Sequence, residues 1–321
     1  MTVLPRPKRV LAVCYSQTGQ LSRIADHFLA PLRESSAIDL HLEVLRPVKD
    51  YPFPWPFLRF FDTFPETVHG VAPSLQPLAL KGDEDFDLVI LFYQVWFLAP
   101  AQPIAAFLQQ PQAQQLLRDK PVVTVIACRN MWLMAQEKMK AMLERAGARL
   151  LDNVVLVDPS PTMASLLTTP LWLLSGKRDF IKALPPAGVA EAAVVETRRF
   201  GLALRDGLGR DEERGSAPLL GGLRAVDADP HLLVSEKAAT RSFHLWGKLL
   251  RAAGKPGQLR RLPVLVLYVL FLITLVLTLV PLSLLVQSLL RPFMRKRFAR
   301  LKARFDLPSG SGTERMVLYE Q

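Results

Sequence analysis

The stretch Tyr15-Ser16-Gln17-Thr18-Gly19-Gln20-Leu21-Ser22 places hydroxyls beside a glycine, directly ahead of a helical pattern. A helix N-terminus offers unpaired N–H groups and the positive end of a dipole, so Ser16, Gln17, Thr18, Gly19, Gln20 and Leu21 form a loop suited to one phosphate. The spacing is neither GxxxxGK[ST] nor GxGxxG, which argues against nucleoside triphosphate hydrolysis and against a dinucleotide fingerprint. Two further stretches, Gln94-Val95-Trp96-Phe97-Leu98 and Cys128-Arg129-Asn130-Met131-Trp132, each follow an apolar run. Trp96, Phe97 and Trp132 are expected to border a flat aromatic ring. Arg129 keeps its charge at any physiological pH and is the leading candidate to assist chemistry at this edge, with Tyr93 second. The same arginine equally suits a salt bridge or a ligand contact, and Tyr93 suits packing at a strand end. Cys128 is expected to be an inert neighbour.

The elements that must position these residues read as an α/β series. Apolar runs at 9–15, 40–46, 86–93, 121–128 and 150–158 have strand length and strand composition, and helical periodicity fills 20–33, 101–117, 131–147 and 188–207. Alternation of this kind implies a five-stranded parallel sheet with helices on both faces, and ligands in such sheets bind outside the carboxyl ends of the strands. Between the second and third strands, residues 49–70 concentrate five phenylalanines with Trp55. An insertion of that length is expected to serve either as an apolar lid over a substrate or as packing at the base of the domain.

The motif of Ser16, Gln17, Thr18, Gly19 and Gln20 resembles the phosphate loop of the flavodoxin-like family, and Trp96 ahead of Pro100 is similar to that family's isoalloxazine loop. Leu21 stands where the family has a small hydroxyl residue and lacks its hydrogen bond. The resemblance covers residues 8 to about 207 and implies FMN as cofactor. A closer resemblance lies in PFPWPFLRFFDTFPE (52–66), YQVWFLAP (93–100), CRNMWLMAQEK (128–138) and PPAGV (185–189), which are similar to the bacterial family labelled dialkylresorcinol condensing enzyme, of aryl-polyene and flexirubin pathways. That resemblance implies oxidative aromatisation of a 2,5-dialkyl-cyclohexane-1,3-dione supplied by a partner ketosynthase. Nothing in the chain resembles the Cys-His-His or Cys-His-Asn site of a condensing enzyme.

The rest of the chain divides by composition. Residues 1–208 form the expected FMN-binding domain, 209–228 a linker rich in Gly and charge, 229–254 an amphipathic helix, 262–290 a membrane segment and 291–321 a basic tail. Residues 262–290 contain no charged side chain, and 29 residues at about 1.5 Å each exceed the roughly 30 Å hydrocarbon core of a bilayer. Of 40 Lys and Arg residues, 22 lie in 1–208 beside 20 acidic ones, so the excess positive charge belongs to the tail. Arg260 and Arg261 precede the apolar segment, and Arg291, Arg295, Lys296, Arg297, Arg300, Lys302 and Arg304 follow it, a pattern that suits anionic headgroups better than nucleic acid. Both flanks being basic, charge does not orient a single span, and Pro281 divides the run. A kinked span and a re-entrant hairpin both fit, the hairpin being favoured. The start of the chain has no secretory signal, which places the expected domain on the cytoplasmic side of a bacterial inner membrane. Cys14 and Cys128 lack CxxC spacing, and His27, His41 and His69 do not cluster, so no metal is expected. Homo-oligomerisation stays open. Besides the aromatase, a membrane-tethered quinone reductase or electron carrier and a flavin-free pathway scaffold remain as function classes.

Overall fold

A computed structural model describes residues 6–290 and 295–319, the side chains of 279–290 apart. Arg291 lies outside the described residues. In chain order the elements are β1 Lys8–Cys14, α1 Gln20–Arg33, β2 Ile38–Val44, α2 Phe57–Val68, β3 Leu88–Trp96, β4 Ala99–Pro100, α3 Gln102–Gln109, α4 Pro111–Leu117, β5 Pro121–Cys128, α5 Leu133–Arg145, β6 Arg149–Val157 and α6 Thr162–Ser175. Then follow α7 Glu191–Val195, α8 Arg198–Gly209, α9 Leu232–Ala253, α10 Leu262–Leu290 and α11 Arg295–Asp306.

The main sheet is parallel in the order β2-β1-β3-β5-β6, with the two-residue β4 folding back antiparallel on β3. This is the doubly wound flavodoxin-like order, with its switch point between β1 and β3. The central strands are buried on both faces, which explains their continuous apolar runs: Val10, Leu11, Ala12 and Val13 in β1, and Leu88 through Leu91 in β3, show no exposed surface. A buried polar chain stitches the sheet to α5. Tyr93 Oη donates to Gln136 Oε1 at 2.5 Å, Gln136 Nε2 donates to Thr124 Oγ1 at 3.2 Å, and Thr124 Oγ1 donates to Asn153 Oδ1 at 2.9 Å.

Residues 209–228 are not a linker. Leu219, Leu220, Leu223, Ala225 and Val226 are buried in the main core, where they cover the flank of β6. The reason is Asp152 of β6, whose buried carboxylate accepts hydrogen bonds from the N–H groups of Leu219 (2.8 Å) and Leu220 (3.1 Å) and from Ser309 Oγ (2.6 Å). Burial pushes that carboxyl up to about 6 while these donors pull it down. Ser309 Oγ also accepts from Asn153 N at 2.8 Å, and Arg315 donates to Leu219 O at 2.8 Å. The C-terminal segment therefore belongs to the domain.

The 49–70 insertion packs against the C-terminal arm. Within α2, Phe64 stacks on Tyr268 of α10 at 4.2 Å between centroids, and Phe61, Val68, Phe243, Trp246, Leu250, Leu265 and Val269 complete a second core. Just before α10, Arg261 is 1% exposed: its Nε lies 2.8 Å from Asp62 Oδ1, and its NH2 group lies 2.9 Å from Glu66 Oε2. A guanidinium does not shed its charge on burial, so it demands such partners. α10 is a continuous helix of 29 residues, running through Pro281.

Arg261→Met should leave two acids crowded together without their cation, lowering stability by about 3–5 kcal/mol. Adding Asp62→Asn and Glu66→Gln should recover much of that loss. Urea midpoints in mild detergent measure both.

Candidate site at the carboxyl edge of the sheet

Residues 15–19, 94–98 and 128–132 emerge at the carboxyl ends of three adjacent strands, so two strand spacings, about 10 Å, separate the first loop from the third. The structure thus brings the three predicted loops together. Gly19 opens α1 at φ 80°, a left-handed conformation that glycine adopts without strain, and nothing lies within 4 Å of where a Cβ would stand. The N-cap Gly19 has no side chain to cap α1, and Gln20 N donates a long hydrogen bond of 3.4 Å to Thr18 Oγ1. Ser16 Oγ is buried without a hydrogen-bond partner. An unpaired buried hydroxyl beside free first-turn N–H groups is a cradle for an anion. Gln17 ties this loop to the insertion through Pro52 O at 2.9 Å.

Gln20 points away from the loop. Its amide oxygen accepts from Val189 N at 3.1 Å and its amide nitrogen donates to Val189 O at 3.0 Å, which staples residues 187–189 across the helix start. The approach is so close that a Cβ on Gly188 would meet Gln20 Oε1 and Trp172 at 2.8 Å. Leu21 is 1% exposed and packs in the core, so it offers the loop only its backbone.

The second loop sends consecutive side chains in opposite directions. Trp96 meets Tyr51, Trp55 and Tyr15 edge-on at 5.0, 5.9 and 6.0 Å, forming an aromatic group at the ends of β1 and β3. Phe97 instead packs with Phe60, Phe64 and Phe243, in the second core. Leu98 is buried beside it. Phe97 and Leu98 form the reversal into β4 with φ of 49° and 59°, strained for non-glycine residues and held by the packing on either side. Phe97 therefore joins the arm and not the ring border expected of it. Gln94 holds Tyr15 O through its amide nitrogen at 3.1 Å, and Val95 pairs with Pro100.

Two expectations for the remaining residues change, those for Tyr93 and Trp132. Tyr93 is 1% exposed and its hydroxyl is committed to Gln136, so it is a core residue: strand alternation turns it toward α5. Burial holds its phenol far above the usual range. Trp132 is 2% exposed at the start of α5, where it packs in the core and cannot face a ring. Cys128 is held high by burial, in keeping with an inert thiol.

Arg129 is partly buried at this edge. Its guanidinium donates to Ser165 Oγ at 3.3 Å, and its NH2 group lies 3.4 Å from Met131 Sδ. Burial lowers its pKa, against the opposing fields of Asp158 and Glu236. Asp158 accepts from Gly188 N and Ser160 N, both at 2.8 Å. Glu236, on α9, shows no exposed surface and accepts from Leu133 N (3.3 Å) and Met134 N (2.8 Å), capping α5. Asn130 donates to Thr162 Oγ1 at 3.1 Å, and its Oδ1 is buried without a partner. Asp158, Glu236 and the whole of α6, which crosses above this edge, were not anticipated from sequence. The Ser-Pro-Thr opening of α6 at 160–162 was its available signal.

Among the described residues no group of three or more His, Cys, Asp or Glu side chains could hold a metal ion. No family model and no curated protein matches the chain. Solved structures similar to it include a flavoprotein in complex with FMN from Lactobacillus acidophilus (17% identity over 46% of this chain and 93% of that one, TM-score 0.37). A two-electron reduced flavodoxin from Megasphaera elsdenii (16%, 46% and 84%, 0.29) and a flavone reductase (10%, 66% and 67%, 0.35) are also similar. Likenesses at this level add nothing to what strand order and site geometry show.

Burial raises the Glu236 carboxyl to about 7, and the α5 N–H groups and Arg129 oppose the shift. The folded state then holds a proton between about 4.5 and 7 that the unfolded chain releases, so Glu236 makes stability fall as pH rises through that window. Glu236→Gln should flatten the slope there, which denaturation midpoints at a series of pH values measure.

Proposed function

We propose that the carboxyl edge binds FMN and that the chain is a membrane-associated, FMN-dependent oxidoreductase that aromatises a 2,5-dialkyl-cyclohexane-1,3-dione to a dialkylresorcinol. The observation that carries the flavin reading is the unpartnered, buried Ser16 Oγ beside the uncapped first turn of α1 and the open space over Gly19. That donor set fits one terminal phosphate, and it adjoins two loops at the neighbouring strand ends. Ser16, Gln17, Thr18, Gly19 and the N–H groups of Gln20 and Leu21 would hold the phosphate. Gln94, Val95 and Trp96 on one side, with Cys128, Arg129, Asn130 and Met131 on the other, would border the ring.

Aromatisation removes two hydrogens, one as hydride and one as a proton made acidic by the flanking carbonyls. Bound FMN would supply the hydride acceptor. Arg129 would stabilise the enolate oxygen, since a guanidinium keeps its charge at physiological pH. The apolar, charge-free α10 supports delivery of an alkylated substrate from a bilayer.

Thr18→Asp should set a like charge against the phosphate and strip flavin from the purified protein. Arg129→Gln should retain flavin but slow its reduction by the dione roughly a hundredfold, the equivalent of about 3 kcal/mol. Rapid-mixing absorbance at the flavin band measures both. A protein that reduces quinones with NAD(P)H and leaves the dione untouched would instead be a tethered quinone reductase or electron carrier.

A further inference from the structure

The apolar helix α10 is fastened to the same domain at both of its ends. Its first residue follows Arg261, which is locked to Asp62 and Glu66 of α2. Alongside the C-terminal half of α9, Tyr268 and Phe271 of α10 meet Trp246 at 5.7 and 5.2 Å. The chain then returns at the other end of α9, where Phe298 of α11 lies 4.0 Å from the ring of His231. Lys302 pairs there with Asp227 at 2.7 Å, and Asp306 accepts from Ala228 N at 2.8 Å. Between Leu290 and Arg295 the chain can extend about 18 Å at most, whereas α10 is about 43 Å long. A helix of that length leaving the domain perpendicularly could not be back at His231 by Phe298.

α9, against which α10 starts and beside which the chain returns, is itself seated on the domain. Glu236 is buried under α5, and a Cβ on Gly247 would stand 2.9 Å from the ring of His69. The domain under these helices carries charge and requires water, so hydrocarbon cannot surround α10. Its two sides differ accordingly. Leu265, Tyr268 and Val269 are buried against the protein, while Val266, Leu267, Leu270, Ile273 and Leu277 are exposed on the outer side. Exposed cations flank the helix in the chain: Lys255 and Arg260 before α10, and Arg295, Lys296, Arg297 and Arg300 on α11. An apolar stripe between cationic ends matches an acyl boundary beneath anionic headgroups.

Building on the membrane association proposed above, we infer that α10 lies in the plane of one leaflet of an anionic bilayer without crossing it, and that residues 307–319 stay on the same side as the flavodoxin-like domain. Crossing would strip Ser309 from Asp152 and Arg315 from Leu219 O, leaving a buried carboxylate short of donors.

Single-cysteine reporters on the full chain test this, since Cys14 and Cys128 are buried or packed against the core. Ser36→Cys marks the domain and Val317→Cys marks the returning segment, both exposed positions. An impermeant maleimide applied to inverted inner-membrane vesicles should label both, and applied to spheroplasts should label neither. Labelling of Val317→Cys from the face opposite to Ser36→Cys would overturn the inference. So would recovery of the protein in the soluble fraction, as monomer or as self-associated copies, because α10 would then not face lipid. The flavin content of the same preparations is read separately. A colourless protein with both reporters on one face would sink the redox reading and leave the in-plane helix standing.

Discussion

Arg261 sets the constraint from which most of this architecture follows. It sits at the threshold of 29 residues with no charge, and it is 1% exposed. A buried guanidinium is tolerable only with anions in contact, so α2 brings Asp62 and Glu66 to it, and the aromatic residues of α2 close over the joint. The insertion between β2 and β3 is thereby explained as the seat of the apolar helix. Phe60, Phe61 and Phe64 fill an interface within the chain, while Tyr51 and Trp55 join the aromatic group at the strand ends.

Through that seat the arm and the edge of the sheet share parts. Phe97 follows Trp96 directly, and the strained reversal at Phe97 and Leu98 lets one residue join the second core while its neighbour joins the aromatic group at the strand ends. Glu236 makes a second connection, because the acid that caps α5 beside Arg129 comes from α9. Loss of the arm would remove the cap on α5 along with the apolar surface. The candidate site and the arm are one packed unit.

The parallel series was legible because fully buried strands must be apolar throughout: PVVTVIAC matches β5 residue for residue, and the pattern for α1 matches Gln20–Arg33. The three loops were legible because they must follow those strands. What escaped was pairing at long range. Arg261 and Asp62 are 199 positions apart, and no local pattern announces their contact. Gly and charge around 207–215 masked Leu219, Leu220 and Leu223, whose burial depends on Asp152, a residue that reads as an ordinary strand polar position. Tyr93 and Trp132 were misplaced for a simpler reason. A strand end and a helix start each present side chains to two sides, and only the packed neighbours, Gln136 for Tyr93 and the core for Trp132, decide which side is taken. Pro111 ends α3 and opens α4 where one helix had been expected over 101–117.

The central claim is that the cradle of Ser16, Thr18 and Gly19 holds a flavin with a single terminal phosphate. The most direct test is to purify the full chain in mild detergent, record its visible spectrum, denature it and identify the released chromophore by mass. The expected result is a yellow protein that releases close to one FMN per chain. A colourless protein, or one that releases FAD, would contradict the assignment of this edge.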